Sequence, residues 1–312
     1  PVTVNSFLWF TMPEHRYVTL DVFTDRPFGG NQLAVFLDAR GIPESALLDI
    51  TREFNYAETT FCFPPTDPAH EARVRIFTPG GEVPFAGHPT IGTAIALHAR
   101  RSQGSFDAKL ILEEGVGPVS VAVRADSAAP FAQLSVAKLP EIGPPVPTRT
   151  TLAEILSVQP DDIVSGSSAP QAISCGLPFL VVGVKSVKIL GQARLRMDRW
   201  EETMRTAWAR DLFLFAADAE NGPTNFRARC FVPGFSVPED PATGSANACF
   251  AGFLAARSAE RNGTLTWTVM QGVEMGRPSR LELEADKVNG AITAIRVGGR
   301  AVFMMEGTIR VP

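Results

Sequence analysis

Short runs rich in β-branched and aromatic residues recur along the chain, and they predict strands. They are Tyr17–Phe23, Gln32–Leu37, Thr59–Phe63, Val119–Val123 and Leu180–Val184. From Pro43 to Phe54 the apolar positions instead follow a helical spacing, with Pro at the start, so this stretch predicts an amphipathic helix. Another helix is predicted from Thr151 to Leu156. The pattern indicates a chain that is mostly strand, with a few helices.

A motif recurs at about half the chain length. Residues 75–84 (RIFTPGGEVP) match residues 229–238 (RCFVPGFSVP) at an offset of 154 residues. Residues 88–94 (HPTIGTA) match residues 240–246 (DPATGSA) at an offset of 152 residues. A period this long exceeds that of solenoid repeats. It therefore predicts a duplicated unit, with two halves related by a pseudo-twofold axis.

Each copy of the motif predicts a strand, a turn and a helix. The helices are expected near Ala94–Ala99 and Ser245–Ala256, and their small apolar residues suit helices that are buried nearly all round. The Pro-rich stretch from Pro140 to Pro147 predicts an interdomain linker, and Gly298-Gly299 predicts a hairpin turn. The expected architecture is α+β: two pseudo-symmetric domains, residues 1–145 and 146–312, each a mostly antiparallel sheet around a central helix. The last strand is expected to return to the first domain.

Each copy also carries a polar residue next to a glycine-containing helix start. In the first copy it is His88, preceded by Gly87, and in the second it is Asp240, followed by Thr243-Gly244-Ser245. Helix N-termini have unpaired N–H groups and a partial positive charge, so two that meet would suit a small carboxylate. The alternative is that Asp240 and Ser245 only cap the helix. The occurrence of the arrangement in both copies favours a functional site.

Glu58 lies where the first predicted helix gives way to a strand. A carboxylate at such a position can be a surface residue or can cap a turn. In a cleft, desolvation would raise its pKa and suit it to proton transfer.

Composition excludes several classes of function. The 312 residues carry a net charge of -4, which does not favour nucleic acid or an acidic membrane surface as a partner. The chain has no HExxH motif, no phosphate-binding glycine loop and no CxxC pair, so neither a metal nor a phosphate cofactor is expected. The Cys residues have apolar neighbours, which predicts buried free thiols and a reducing cytoplasm. Residues 1–11 are interpreted as a leader or an added extension, because Met12 begins a more ordinary opening.

Several segments, taken in chain order, resemble the phenazine biosynthesis PhzF family. They are Asp21-Val22-Phe23, Gly30-Asn31, Asn55–Phe61, Phe85–Ala94, Glu239–Ala246 and Gln271–Pro278. The resemblance implies a fold like that of diaminopimelate epimerase, a homodimer, and a cofactor-independent isomerase that moves a proton between carbons of a small cyclic or unsaturated carboxylic acid. The family's pathway member isomerises trans-2,3-dihydro-3-hydroxyanthranilate. That member has Ser before the glutamate where this chain has Ala57, which weighs against the same substrate more than against proton transfer.

The resemblance also implies roles for the residues singled out above. Glu58 is implied as the acid/base, and His88 and Asp240 as residues that orient and polarise the substrate. Gly87 and the Gly244-Ser245 backbone are implied to hold its carboxylate.

Three other functions are consistent with the residue types. A two-thiol racemase would need a Cys at each helix start, where this chain has His88 and Asp240. A hydrolase could use Ser245, His88 and Asp240. A non-catalytic protein that binds a small acid would bind without turnover.

Overall fold

The computed structural model describes residues 12–101, 107–222, 225–235 and 237–311. The segment interpreted as a leader lies outside them. The strands are β1 Glu14–Val22, β2 Asn31–Phe36, β3 Glu58–Phe63, β4 Ala72–Thr78, β5 Gly81–Val83, β6 Ala108–Glu114, β7 Gly117–Arg124, β8 Phe131–Ser135, β9 Glu141–Ile142, β10 Gln171–Ser174, β11 Pro178–Gly183, β12 Asp211–Ala217, β13 Asn225–Val232, β14 Val237–Asp240, β15 Gly263–Gln271, β16 Ser279–Val288 and β17 Ala291–Arg310. The α-helices are α1 Ala46–Phe54, α2 Gly87–Arg101, α3 Arg149–Leu156, α4 Val187–Gln192, α5 Met197–Thr203 and α6 Gly244–Arg257.

The first half forms a closed ring of strands. The pairings run β17–β1–β2–β3–β4–β6–β7–β8 and return from β8 to β17. Helix α2 contacts β1, β2, β3, β6, β7, β8 and β17, so it lies inside this barrel-like sheet. Its interior positions, including Ile91, Ala94 and Ile95, are fully buried. This confirms that a helix of small apolar residues can be enclosed by strands.

The second half repeats the same order of pairings. The series β10–β11–β12–β13–β15–β16–β17 matches β1–β2–β3–β4–β6–β7–β8, with parallel pairs at the same two places. Helix α6 follows β14 as α2 follows β5, and it packs against β10, β11, β15, β16 and β17. Strand β17 pairs with β16 through its first part and with β1 through its last part, so it belongs to both halves. The result is a sheet-rich α+β protein with few helices.

Three details differ from the sequence predictions. Helix α1 begins at Ala46 rather than Pro43, and α2 begins at Gly87 rather than Ala94. The early start of α2 is explained by Pro89, which fits the first helical turn, and by Thr90, whose N–H donates to Ala86 O at 3.2 Å. Gly298-Gly299 is not a turn but lies inside β17, opposite Gln133 and Ala132. A side chain at Gly298 would come within 2.6 Å of Phe131 Cζ, so these glycines make room for a core ring.

The largest hydrophobic cluster contains residues of both central helices, including Ile91 and Ile95 of α2 and Phe250 and Phe253 of α6. Burial of side chains of this size is the main stabilising term in a fold. Within the described part of the chain, no helix combines the length and the apolar character that a membrane span requires.

Candidate active site

The N-termini of the two central helices meet at a pair of glycines. A Cβ atom built on Gly87 would lie 2.7 Å from Gly244 Cα, and one built on Gly244 would lie 2.9 Å from Gly87 Cα. Real Cβ atoms do not approach backbone so closely, so any side chain at either position would push the two helices apart. Glycine therefore permits this contact between the helix starts.

This contact brings two sets of unpaired backbone donors together. Pro89 has no N–H, so Gly87 and His88 supply the first-turn donors of α2. In α6 the corresponding positions are Gly244 and Ser245, since the N–H of Thr243 already donates to Gln271 Oε1 at 3.3 Å. Both helix ends carry partial positive charge, so an anion near Gly87 and Gly244 is favoured by both.

Glu58 and His88 form a buried pair beside this contact. Glu58 Oε2 lies 3.3 Å from His88 Nε2, and the side chains are 17% and 4% exposed, respectively. Neither atom has a hydrogen-bond partner among the described residues. Buried polar atoms without partners are uncommon in folded proteins, and a catalytic role is one explanation for them. The pair therefore indicates a site for a reacting group.

Burial keeps His88 neutral, because desolvation lowers its pKa to about 3, whereas a hydrogen bond to the Gln32 backbone acts in the opposite direction. Since Nε2 is without a partner, the bond to Gln32 is made by Nδ1, which carries the ring proton. His88 Nε2 thus presents a lone pair toward Glu58 and can accept a hydrogen bond from a protonated carboxyl group.

Asp240, in contrast, is bonded through both carboxylate oxygens. Oδ1 accepts from Asn31 Nδ2 at 2.8 Å, and Oδ2 accepts from the Thr243 hydroxyl at 2.5 Å. The pKa of Asp240 is raised overall, because burial is the largest effect, and these two donors limit the rise. Donors directed at both oxygens favour the charged form, so Asp240 is the group of this site that is built to hold a negative charge.

The charge of Asp240 acts on Glu58. The pKa of Glu58 is raised well above its ordinary value, first by burial and second by repulsion from Asp240. Two carboxylates that share a dry site cannot easily both be ionised, so one takes up a proton. The hydrogen bonds select Glu58 as that group.

The structure brings together Glu58, His88, Asp240, Gly87 and Gly244, and it places Ser245 in the first turn of α6. A Cβ atom built on Gly87 would lie 3.3 Å from Ser245 N. His88 lies within the first turn of α2 rather than before it. Sequence reasoning assigned no roles to Asn31, Thr243 and Gln271, which surround Asp240. Each of the three lies in a segment that resembles the PhzF family, and this resemblance is the sequence feature that could have identified them.

The hydrolase arrangement is not formed, because both oxygens of Asp240 bind Asn31 and Thr243 instead of His88. The two-thiol arrangement is not formed either, because the two helix starts carry His88 and Asp240 and not cysteines. Cys249 lies inside α6, and burial raises its pKa well above the usual range.

The chain is similar to known proteins over nearly its whole length. The phenazine biosynthesis-like protein family matches residues 20–307. An uncharacterized isomerase of Mesorhizobium japonicum is 38% identical over 301 residues, covering 96% of this chain and 99% of the relative. The trans-2,3-dihydro-3-hydroxyanthranilate isomerase of Pseudomonas fluorescens is 34% identical over 300 residues, covering 95% and 99%.

A solved structure has the same fold. The phenazine biosynthesis protein of the PhzF family from Bacillus anthracis superposes with a TM-score of 0.86 at 22% identity, covering 96% of this chain and 100% of that one. The matches in family, relatives and fold extend over nearly the whole chain. The chain therefore belongs to the phenazine biosynthesis-like protein family, and it is an isomerase.

Proposed function

We propose that the chain moves a proton between two carbons of a small, unsaturated cyclic carboxylic acid, with Glu58 as the acid/base. The observation that carries the proposal is the buried pair of Glu58 Oε2 and His88 Nε2, 3.3 Å apart and both without a hydrogen-bond partner among the described residues. The relatives named trans-2,3-dihydro-3-hydroxyanthranilate isomerase support this acid as the first substrate to test.

The proposed reaction uses one carboxyl group twice. The ionised form of Glu58, which the raised pKa makes less populated, removes a proton from a ring carbon, and the electron pair of that C–H bond becomes a new C=C bond. The electron pair of the existing, conjugated C=C bond then forms a C–H bond at another carbon of the same face, with the proton returned by Glu58. The raised pKa makes Glu58 a stronger base, and the fixed charge of Asp240 favours the protonated intermediate state of Glu58.

His88 serves as an acceptor in this scheme. Because its Nε2 carries no proton, it can accept a hydrogen bond from Glu58 while Glu58 holds the transferred proton. It can equally accept one from a hydroxyl or amino group of the substrate, which would fix the ring relative to Glu58. A held geometry of this kind contributes much of the rate advantage in such reactions.

In the proposed complex, the substrate carboxylate binds at the two helix starts. The N–H groups of Gly87, Gly244 and Ser245 are the donors proposed for it, and the close contact of the glycines lets one anion reach both helices. The site then lies between two domains, residues 1–145 and 146–312, each with its own central helix. The repeated order of strand pairings supports this division, and β17 serves both domains.

Proton NMR in deuterated water tests the proposal with trans-2,3-dihydro-3-hydroxyanthranilic acid as substrate. Wild type is expected to isomerise the acid and to place deuterium at the new C–H position. Glu58→Gln keeps the shape of the side chain but cannot accept the proton, so the rate should fall by about 10²–10⁴-fold. The exposed Glu260→Gln is the matched control and should retain wild-type turnover.

Turnover by Glu58→Gln at the wild-type rate would remove Glu58 from the mechanism. Isomerisation without deuterium incorporation would instead favour transfer that stays sheltered from solvent, and a substrate deuterated at the reacting carbon would then show the proton's path. If wild type leaves this acid unchanged, the substrate assignment is wrong, and other unsaturated cyclic acids should be screened with the same pair of variants.

A further inference from the structure

Gln271 is the last residue of β15, and its side chain is completely buried. Its amide nitrogen donates to the carbonyl oxygen of Asp240 at 2.8 Å and to Thr243 Oγ1 at 3.1 Å. Its amide oxygen accepts from Thr243 N at 3.3 Å and from Asn247 Nδ2 at 2.9 Å. One side chain thus uses both ends to hold the turn between β14 and α6.

The backbone contacts determine which end of the amide is which. A carbonyl oxygen can only accept, so the atom that faces Asp240 O must be the nitrogen of Gln271. A backbone N–H can only donate, so the atom that faces Thr243 N must be the oxygen. The orientation of the amide is therefore fixed by its surroundings.

This orientation fixes the hydroxyl of Thr243 in turn. The hydroxyl accepts from Gln271 Nε2 at 3.1 Å and donates to Asp240 Oδ2 at 2.5 Å. The Cys230 thiol also contacts this hydroxyl, but a carboxylate is the stronger acceptor of its single proton. Asn31 donates to the other oxygen of Asp240. A protonated Asp240 would have to donate from one of its two oxygens. Asn31 Nδ2 cannot accept, and the Thr243 hydroxyl could accept only if its own proton turned away from Oδ2. The arrangement therefore disfavours the neutral acid.

We propose that Gln271 is a positioning residue, which sets the direction of the Thr243 hydroxyl and thereby keeps Asp240 ionised beside Glu58. The inference rests on the proposed function in one respect, namely that Glu58 is the group that takes up the proton. Gln271 itself has no contact with Glu58 or His88 among the described hydrogen bonds, so it acts through Thr243 and Asp240 alone.

The other titratable groups around Asp240 do not replace this effect. Cys230 pairs with Asp240 across β13 and β14, and burial raises the pKa of its thiol well above the usual range, so it stays uncharged. Glu239 is bound by Arg229 through two hydrogen bonds of 2.8 Å. Glu58 also interacts with Asp240, through the repulsion described above. None of them donates to Asp240, which leaves Thr243 and Asn31 as its donors in the described residues.

Carboxyl ¹³C NMR titration of the substrate-free protein tests the inference, with the Glu58 and Asp240 signals assigned from Glu58→Gln and Asp240→Asn. Gln271→Met keeps the side-chain volume and removes both ends of the amide. It should move the Asp240 midpoint up and the Glu58 midpoint down, each by about 0.5 pH unit or more. With a substrate that wild type turns over, kcat of Gln271→Met should be about tenfold or more lower than that of wild type, while KM stays within about threefold.

Two substitutions of Thr243 keep the test decisive if Gln271→Met does not fold. Thr243→Val removes the hydroxyl and should shift both midpoints in the same directions, whereas Thr243→Ser retains the hydroxyl and should titrate like wild type. In the double variant Gln271→Met/Thr243→Val, the shifts should not add, because both changes break one chain of hydrogen bonds. Unshifted midpoints in a folded Gln271→Met or Thr243→Val protein would overturn the inference.

The titration needs no substrate, so it separates this inference from the proposed function. If wild type turns over no acid but the midpoints shift as expected, Gln271 retains its role and the substrate assignment is at fault. If wild type is active and the midpoints do not move, Gln271 is only structural.

Discussion

Strands β6 and β15 are equivalent in the two halves, but their last residues differ. This difference gives the two halves different roles at the site. In the first half β6 ends at Glu114, whose Oε1 lies 2.7 Å from the Thr90 hydroxyl near the start of α2. In the second half β15 ends at Gln271, whose Nε2 lies 3.1 Å from the Thr243 hydroxyl at the start of α6. A carboxyl group in one copy thus takes the place of an amide in the other.

The difference between Glu114 and Gln271 extends to the neighbouring threonines, which lie close to His88 and Asp240. The Thr90 hydroxyl also donates to Ala86 O at 2.7 Å, so it binds the backbone at the start of α2. Thr243 donates to Asp240 instead and holds a charge in place. The first half keeps His88 neutral and unbonded at Nε2, and the second half keeps Asp240 fully bonded. A duplicated framework has therefore produced one side suited to a moving proton and another suited to a fixed charge.

Removing the negative charge of Asp240 should have the largest effect on turnover among the changes that test this contrast between the halves. Asp240→Asn is expected to lower turnover by about 10²–10⁴-fold, since Glu58 would lose the repulsion that makes it basic. Because the charge of Asp240 raises the pKa of Glu58, the variant should have a lower Glu58 pKa. The pH–rate profile of kcat/KM measures this as a shift of the Glu58 limb toward lower pH.

The exposed Asp49→Asn is a matched control for the loss of one negative charge, and its profile should overlay that of wild type. A Glu58 limb that stays in place, or moves to higher pH, in Asp240→Asn would contradict the assignment of Asp240 as the fixed charge.

Separating the two helix starts should have a smaller effect. In Gly87→Ala the new methyl group meets Gly244 Cα at 2.7 Å, and backbone cannot move aside as a flexible side chain can. The variant should lose about 1–3 kcal/mol of stability, as overpacked sites do. Turnover should fall about 10–100-fold, because misplaced catalytic groups react more slowly.

Gly80→Ala is the control for this change, since its new methyl group would lie 3.5 Å from Thr78 Oγ1, an ordinary contact. Urea unfolding and steady-state kinetics on both variants give the comparison. Equal behaviour of the two would show that the contact between Gly87 and Gly244 is not needed to position the site.

The repeat, the central helices and the six candidate site residues could be named from the sequence, because each depends on a local pattern or on a motif. The roles of the six residues are proposals. The start of α2 could not be predicted from the sequence, since Pro89 in its first turn resembles the proline that ends a helix. The prediction of a hairpin turn at Gly298-Gly299 was wrong, because in a sequence a glycine that makes room for a core ring cannot be distinguished from a glycine in a turn. Thr243 lies three residues from Asp240, but its other partners, Asn31 and Gln271, lie far from it along the chain. Only tertiary pairing shows that they meet.

The smallest effect on the reaction should come from making the first half resemble the second. Burial raises the pKa of Glu114 to about 8, so the folded protein holds it as the neutral acid at pH 7. The unfolded chain ionises this group near 4.5, and stability is therefore lost as the pH rises from about 4.5 to about 8, by up to ~5 kcal/mol. Glu114→Gln offers a neutral side chain of the same shape at every pH. It should be more stable than wild type at pH 8, and the advantage should shrink toward pH 5.

Urea unfolding at pH 5 and pH 8 measures this difference, with the exposed Glu53→Gln expected to follow wild type at both. Turnover of Glu114→Gln at pH 7 should stay within about threefold of wild type, since an amide, like the neutral acid, can either accept from the Thr90 hydroxyl or donate to it. A variant whose stability relative to wild type is independent of pH would show that Glu114 is ionised in the folded protein. In that case Thr90 would donate to a carboxylate, as Thr243 does to Asp240, and the two halves would differ less in their electrostatics than the strand ends indicate.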